Sequence, residues 1–213
     1  MLTTKTEGPK LADVLISRDE VMNILLETEA FRKGHFKLPT GEHTNHYFQM
    51  PLALRYFNYS RRLSVSLSRL LRLVPQVSAQ LPSVSIVGAS TGGIPVAYGI
   101  REALQAAEIM WVEKGGNGNL RFRQYDVVRP GENCVLVDDL ILTGRTMRSL
   151  IKLVQDAGGK ILAIGVLMNP CIAKLDFGGI PFVNLVDIPT LHFAGDQDCT
   201  LCKESGAPTP VEW

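Results

Sequence analysis

Four cysteines in 213 residues are too few for a disulfide scaffold of this length, and reduced thiols are the expectation. Charge of one sign is also missing. Lys and Arg number 22 against 21 Asp and Glu, for a formal net charge of +1, so nothing pulls the whole chain toward nucleic acid or an anionic membrane and any anion site must be local. No apolar run approaches the roughly 18 to 20 residues that span a bilayer. The start from Met1 to Pro9 is polar and lacks a signal-peptide core, and a cytoplasmic protein is expected. Internal repeats, low-complexity tracts and linkers are missing, as are a Walker loop, a dinucleotide fingerprint and a nucleophile elbow. What remains is a chain 46% hydrophobic and 20% charged, enough to bury a full core as one domain over residues 1–213.

The local patterns predict an α/β fold. Ser17-Arg18-Asp19-Glu20 is a capping box ahead of Val21, Ile24 and Leu25, so a helix starts near Ser17. Phe36 to Gly41 and Tyr47 to Gln49 read as two short extended pieces around a polar turn of Glu42, His43, Thr44 and Asn45, a small hood over residues 30–55. Leu63, Leu67, Leu70, Leu71 and Val74 mark an amphipathic helix whose arginines form a solvated face. Then strands and helices alternate. Strands are expected at Val84 to Val87, Ile109 to Val112, Cys134 to Val137, Ile161 to Met168 and Phe182 to Val186. Helices are expected from Pro95, and from after Thr146 to Gly158-Gly159. This alternation argues a mostly parallel sheet flanked by helices.

The strand from Cys134 runs into Asp138 and Asp139, then Leu140, Ile141, Leu142 and the small loop Thr143-Gly144-Arg145-Thr146. Acids at the carboxyl end of a buried strand sit where open α/β sheets bind ligands. Two carboxylates can grip sugar hydroxyls, while loop N–H groups at a helix start favour a phosphate. A solvated strand end, or a metal ligand in another α/β enzyme, would look similar. One strand and one helix earlier, Gly88-Ala89-Ser90-Thr91-Gly92-Gly93 can form an anion-binding nest or only a tight turn. Between them, Glu113-Lys114-Gly115-Gly116-Asn117-Gly118-Asn119-Leu120-Arg121 is a glycine-rich tract flanked by cations, either a working loop or an exposed basic one. Cys199-Thr200-Leu201-Cys202 could be a redox pair or half a zinc site, with His192 as a further ligand. The histidines at 35, 43, 46 and 192 show no metal-ligand spacing as a set.

Taken together, these segments resemble the type I phosphoribosyltransferases, and most closely one branch of the orotate phosphoribosyltransferases. The resemblance spans nearly the whole chain. It implies Mg²⁺-dependent transfer of phosphoribose from 5-phosphoribosyl-1-diphosphate (PRPP) to orotate or a related base in pyrimidine nucleotide biosynthesis. The implied partners are PRPP and a base, with no nucleic acid and no membrane. By the resemblance, Asp138 through Thr146, with Leu140, Ile141 and Leu142 between, form the PRPP-binding stretch, in which Asp138 and Asp139 meet the ribose hydroxyls and Thr143, Gly144, Arg145 and Thr146 wrap the 5-phosphate. Ser90, Thr91, Gly92 and Gly93 hold the diphosphate. Lys114 and Arg121 belong to a catalytic loop that reaches a neighbour's site in a homodimer. Thr40 and Gly41 contact the base while Tyr47 or Phe48 stacks on it. Mg²⁺ is held chiefly through PRPP, with no protein metal ligand. Cations near the diphosphate make chemical sense because that leaving group gains charge as the C1–oxygen bond breaks.

Four positions depart from the pattern. Leu142 stands for a usual Thr or Ala, Arg145 for Gly or Lys, and Phe122 for a second Arg that follows at Arg123. The late strand leads into Asn169-Pro170 instead of Asp-Arg. That Arg pairs with the orotate carboxylate, a contact worth about 1.5 to 3 kcal/mol, or roughly tenfold to a hundredfold in affinity. A paralogue for another base, and a non-catalytic PRPP-binding regulatory protein, therefore remain beside the orotate reading.

Overall fold

The computed structural model describes residues 15–89, 91–116, 119–123, 127–172 and 174–212. Its first element, helix α1 (Arg18–Glu27), opens as expected: the Ser17 side chain accepts from the Glu20 amide while Glu20 reaches back to the Ser17 amide. Strands β1 (Phe31–Lys37) and β2 (His43–Phe48) follow, then short α2 (Pro51–Leu54), long α3 (Phe57–Arg72) and short α4 (Pro75–Ser78). The alternating part comprises β3 (Ser85–Ala89), α5 (Gly93–Leu104), β4 (Glu108–Lys114), β5 (Leu120–Phe122), β6 (Asn133–Leu140), α6 (Arg145–Asp156), β7 (Lys160–Asn169) and β8 (Phe182–Asp187). The chain closes with β9 (His192–Phe193), α7 (Thr200–Ser205) and β10 (Thr209–Pro210).

Six strands form the main sheet in the order β5-β4-β3-β6-β7-β8, all parallel except the β4–β5 hairpin. Strand alternation divides its side chains between two cores. Ile86, Val135 and Val137 pack with Leu63, Leu67 and Leu71 of α3 and Val96 and Ile100 of α5. Val87, Leu136 and Ile164 pack on the other side with Met147, Leu150 and Val154 of α6. The result is helix, sheet, helix. The crossovers run outward from β3 to β4 and, in the opposite sense, from β6 to β7, so strand order reverses between β3 and β6. A crevice opens there at the carboxyl ends of the strands, where ligands bind in such sheets.

The hood is a second sheet of four strands in the order β10-β1-β2-β9. Here the sequence reading needs correction. The strands begin at Phe31 and His43, and the turn falls on residues 38–42, so His43, Thr44 and Asn45 lie in β2 and not in the turn. Arg32, Lys33 and Gly34 are exposed while Phe31, His35 and Phe36 are buried, and this break in alternation, at a register shift between Lys33 and Phe36, hides the strand signal. Elsewhere the strands extend one to three residues beyond the apolar runs, and β6 carries Asp138 and Asp139 inside its ladder. Helix α5 opens at Gly93, two residues before Pro95, and α6 at Arg145.

Candidate active site

Asp138 and Asp139 lie at the end of β6, beside the switch in strand order. Asp138 is buried and Asp139 half-buried. Asp138 Oδ1 accepts from the Asp139 amide at 3.0 Å, and Asp139 Oδ1 from the Leu140 amide at 2.9 Å. Burial pushes the Asp138 carboxyl well above the usual range, and the neighbouring Asp139 charge adds to it, while Lys114 at the end of β4 pulls the other way. Burial also raises Asp139. A ligand that brings hydroxyl donors or a cation relieves this stored cost.

The register aligns Gly88 of β3 with Val137 of β6, so the loop leaving β3 emerges beside the acids. A Cβ on Gly92 would overlap all three atoms of the Asp139 carboxylate group, and one on Gly93 would meet Asp138 Oδ1 at 3.0 Å. The glycine pair thus lets the start of α5 approach the acids. The positive end of that helix then faces them. Of the expected diphosphate loop, Thr91, Gly92 and Gly93 are described and Ser90 lies outside the described residues.

A cavity of about 330 Å³ separates this strand end from the hood. Asp139, Leu140, Leu142, Thr91 and Gly92 line it from the sheet, and Tyr47, Phe48, His46 and Gln49 from the hood. Both expected ring residues border the same space as the acids, Phe48 on the face of β2 shared with Thr44 and His46, and Tyr47 with its ring packed on Phe36 on the other face. Phe48 stacks on Phe31 with centroids 5.2 Å apart, and the Tyr47 hydroxyl donates to the Glu212 carbonyl. Thr40 and Gly41 do not line the cavity. Thr40 donates to Glu42 at 2.9 Å, and the Gly41 amide closes the turn onto Leu38 at 2.8 Å.

Thr143 and Arg145 border a shallow groove with Arg148, Ser149 and Lys152, a basic continuation beside the cavity. Gly144 adopts φ +74° at the cap of α6, a conformation that favours glycine, and a side chain there would run into Arg148. Arg148 in turn donates to the Thr143 carbonyl at 3.0 Å, and the Cys171 thiol to the Leu142 carbonyl at 2.7 Å, so two consecutive carbonyls at the start of the loop are tied down. Lys114 and Arg121 lie on the β4–β5 hairpin, closed by the Gly115 amide donating to the Asn119 carbonyl at 2.8 Å. The glycine tract is thus a hairpin tip, of which residues 117 and 118 lie outside the described residues. Arg123, one place late in the motif, pairs with Glu113 at 2.7 Å.

A family model described as a phosphoribosyl transferase domain matches residues 78–176. A curated protein from Heliobacterium modesticaldum named orotate phosphoribosyltransferase is 36% identical over 193 residues, covering 91% of this chain and 96% of the relative. Another of that name, from Carboxydothermus hydrogenoformans, is 32% identical over 189 residues, covering 89% and 94%. The chain belongs to the phosphoribosyltransferase family. Among solved structures, orotate phosphoribosyltransferase from Aeropyrum pernix aligns with a TM-score of 0.61 over 79% of this chain and 93% of that one, at 19% identity, a likeness of fold. The family's α/β architecture with a mostly parallel sheet is the one described above.

Within this phosphoribosyltransferase, three cavity residues escaped the sequence reading. Thr44 stands in the stretch taken for a turn, and His46 and His192 were assigned surface or hood roles, His192 also as a candidate metal ligand. His46 Nδ1 lies 3.1 Å from the Thr190 hydroxyl, and burial lowers its pKa, with nearby Lys33 adding to the effect. Burial likewise lowers His192. Alternation along β2 could have found His46, since Thr44, His46 and Phe48 share a face. Asn169 ends β7 with its amide donating to Asp187 at 2.8 Å and its oxygen accepting from the Cys171 amide at 3.1 Å. Among the described residues no helix is long and apolar enough to cross a membrane.

Proposed function

We propose that the protein transfers phosphoribose from PRPP to orotate or a closely related base, releasing diphosphate, as a step of pyrimidine nucleotide biosynthesis. The observation that carries this reading is the single cavity that sets the acid Asp139 and the Gly92 loop opposite Phe48 and His46 of the hood. A sugar diphosphate fits the polar wall and a planar base the aromatic one.

In the mechanism, Asp138 and Asp139 accept hydrogen bonds from the ribose hydroxyls and hold C1 in line between base nitrogen and leaving oxygen. Most of the rate gain then comes from positioning. The loop from Thr143 to Thr146, at the start of α6, holds the 5-phosphate. Thr91, Gly92 and Gly93, with Ser90, hold the diphosphate. Lys114 and Arg121 offset the charge that grows on it. Base contacts come from Tyr47 and Phe48, with the turn at Thr40 and Gly41 closing over the ligand. The oxygen donors on the polar wall, the Asp139 carboxylate and the Thr91 hydroxyl, suit a hard cation. Mg²⁺ bound chiefly through PRPP would neutralise the diphosphate there.

We further infer that the hood and main sheet work as one domain and that the protein is a homodimer. Exposed Phe57 of α3 and Tyr98 of α5 border one groove and supply an apolar face for a second copy. A phosphorylated donor that its charge confines to the cell interior places the reaction in the cytoplasm.

The Asn169-Pro170 pair favours a second reading, transfer to another base, because Pro170 stands where the usual Arg would meet a carboxylate and offers no charge, while the Asn169 side chain is engaged with Asp187 and the Cys171 amide. One assay separates the two: diphosphate release from PRPP and Mg²⁺ with orotate, with other nucleobases or pyridine carboxylates, or with none. Orotate-dependent release that Asp138→Asn/Asp139→Asn abolishes is the expected result. Release with a different base moves the specificity, and PRPP binding without release under any condition overturns the transferase reading in favour of a regulatory PRPP binder.

A further inference from the structure

The hood holds a cluster of four side chains that the transfer chemistry does not use. His35 of β1, His43 of β2, and Cys199 and Cys202 at the start of α7 converge so that one ligand atom from each lies within 4.8 Å of all the others. Residues far apart in sequence are involved, which is why their spacing shows no pattern. Of the four histidines, His35 and His43 meet here through the fold, while His46 and His192 do not join them. His192, the histidine considered beside the Cys-x-x-Cys, lines the base cavity and does not join this cluster.

Four of the six distances among these atoms are close to the edges of a tetrahedron around one ion, and the other two are within 4.8 Å. Zinc–nitrogen bonds of about 2.0 to 2.1 Å and zinc–sulfur bonds of about 2.3 Å set tetrahedral edges of about 3.3 Å between nitrogens and about 3.5 Å between nitrogen and sulfur. In the protein, His35 Nε2 and His43 Nδ1 are 3.1 Å apart. Cys199 Sγ lies 3.4 Å from His35 Nε2, and Cys202 Sγ lies 3.7 Å from His35 Nε2 and 3.4 Å from His43 Nδ1. His35, His43 and Cys199 are buried and Cys202 half-buried.

The outer ring nitrogens support the same conclusion. His35 Nδ1 is 2.9 Å from the Gly206 carbonyl, which only accepts, so that nitrogen carries the proton and Nε2 turns a lone pair inward. His43 Nε2 faces the Asp196 carboxylate at 2.9 Å, though not in line for a full hydrogen bond. A carbonyl or carboxylate behind each imidazole is the usual outer support of a metal-ligating histidine. His35 Nε2 and His43 Nδ1 meet at 3.1 Å, a distance that either a shared proton or a shared cation bridges. Two thiolates and two imidazoles in a closed tetrahedron are the donor set of structural zinc, with no position left for substrate.

We propose that His35, His43, Cys199 and Cys202 bind one structural Zn²⁺ ion that fastens the C-terminal segment to the hood. Binding converts two thiols to thiolates and releases two protons to solvent. The test is metal analysis of untagged full-length protein purified without chelator. One zinc per chain is expected, retained in His192→Ala and reduced at least tenfold in Cys199→Ser/Cys202→Ser. Should the double variant fail to fold, wild-type protein stripped of metal is titrated with Co²⁺. The visible bands of tetrahedral cobalt and an ultraviolet thiolate-to-metal band, saturating at one equivalent, are expected. Absence of zinc together with absence of those bands overturns the proposal. So does a chain lighter by two hydrogens with Cys199 and Cys202 joined as a disulfide, which assigns the pair to redox chemistry.

Discussion

Replacing Gly92 with Ala tests the site at its narrowest point. The backbone there has φ −69° and ψ −30°, open to any residue, so the added methyl strains nothing in the chain itself. Its whole cost falls on Asp139, whose carboxylate occupies the space a Cβ would take. The carboxylate must swing away, giving up the 2.9 Å bond from the Leu140 amide and the orientation that holds a ribose hydroxyl. A hydrogen bond to a charged group is worth about 1.5 to 3 kcal/mol, which converts to a loss of roughly 10- to 100-fold in kcat/KM for PRPP. Gly93→Ala is the graded companion: its Cβ would lie 3.0 Å from Asp138 Oδ1 and 3.2 Å from the Val137 carbonyl, so a shift of a few tenths of an ångström suffices and a smaller loss is expected. Gly195→Ala, with open space around it, is the neutral control. Steady-state diphosphate release at varied PRPP, with thermal melting beside it, is the assay. A Gly92→Ala enzyme that keeps both its melting temperature and kcat/KM within threefold of the parent would refute the close approach of the two loops.

Lys114→Ala should lower kcat about a hundredfold with a smaller change in KM for the base, because its cation acts on charge that develops only during bond breaking; an unchanged kcat removes it from the chemistry. Burial pushes the Cys134 thiol up to about 12, so it should resist a thiol reagent at pH 8 in the native protein and react only after denaturation. Leu136→Ala, at a fully buried position in the central strand, should cost about 2 to 5 kcal/mol in urea unfolding. Burial raises the Glu132 carboxyl, but bonds from Ser85, the Arg129 amide and the Arg129 guanidinium outweigh it and leave the folded-state pKa below the ordinary 4.5. Its contribution is thus complete above 4.5 and lost as pH falls through the folded value. Glu132→Gln should be less stable than the parent at pH 7, with the gap closing in acid; a gap that persists at low pH assigns the loss to packing.

The main sheet was legible because its strands are buried on both faces, and runs such as Val135 to Val137 show that directly. Strand ends were misjudged where polar residues continue the ladder, as at Asp138 and Asp139, since hydropathy stops at the first charge while backbone pairing does not. The acid pair and the Gly92-Gly93 loop were also visible as local words in the sequence. Their meeting was not, because it depends on the register that aligns Gly88 with Val137. The hood was read least well. His43 and Thr44 were assigned to a turn for their polarity, yet both are buried, one facing two cysteines more than 150 residues away in sequence and the other facing the cavity.

That contrast follows from how the two halves of the site are held. The acids and the anion loops stand on strands whose positions are over-determined by two large cores and by helices on both faces. The hood's own core consists of Phe36, Leu38 and Tyr47 with Val211 packed against them, and β9 and β10 contribute two residues each. Strands that short with so little buried area do not fix one another in water. Small units of this kind depend on a staple, either a disulfide or a metal. Tyr47 lines the base cavity through that same small core, so the orientation of the base is only as firm as the attachment of the C-terminal segment to β1 and β2. A closed four-ligand cluster joining His35 and His43 to Cys199 and Cys202 lies where that attachment is needed. The sugar half of the site draws its rigidity from two large cores, whereas β1 and β2 reach the main core through Phe31 and Phe48 and the C-terminal strands β9 and β10 bury little, so the proposed cross-link would act on that C-terminal attachment.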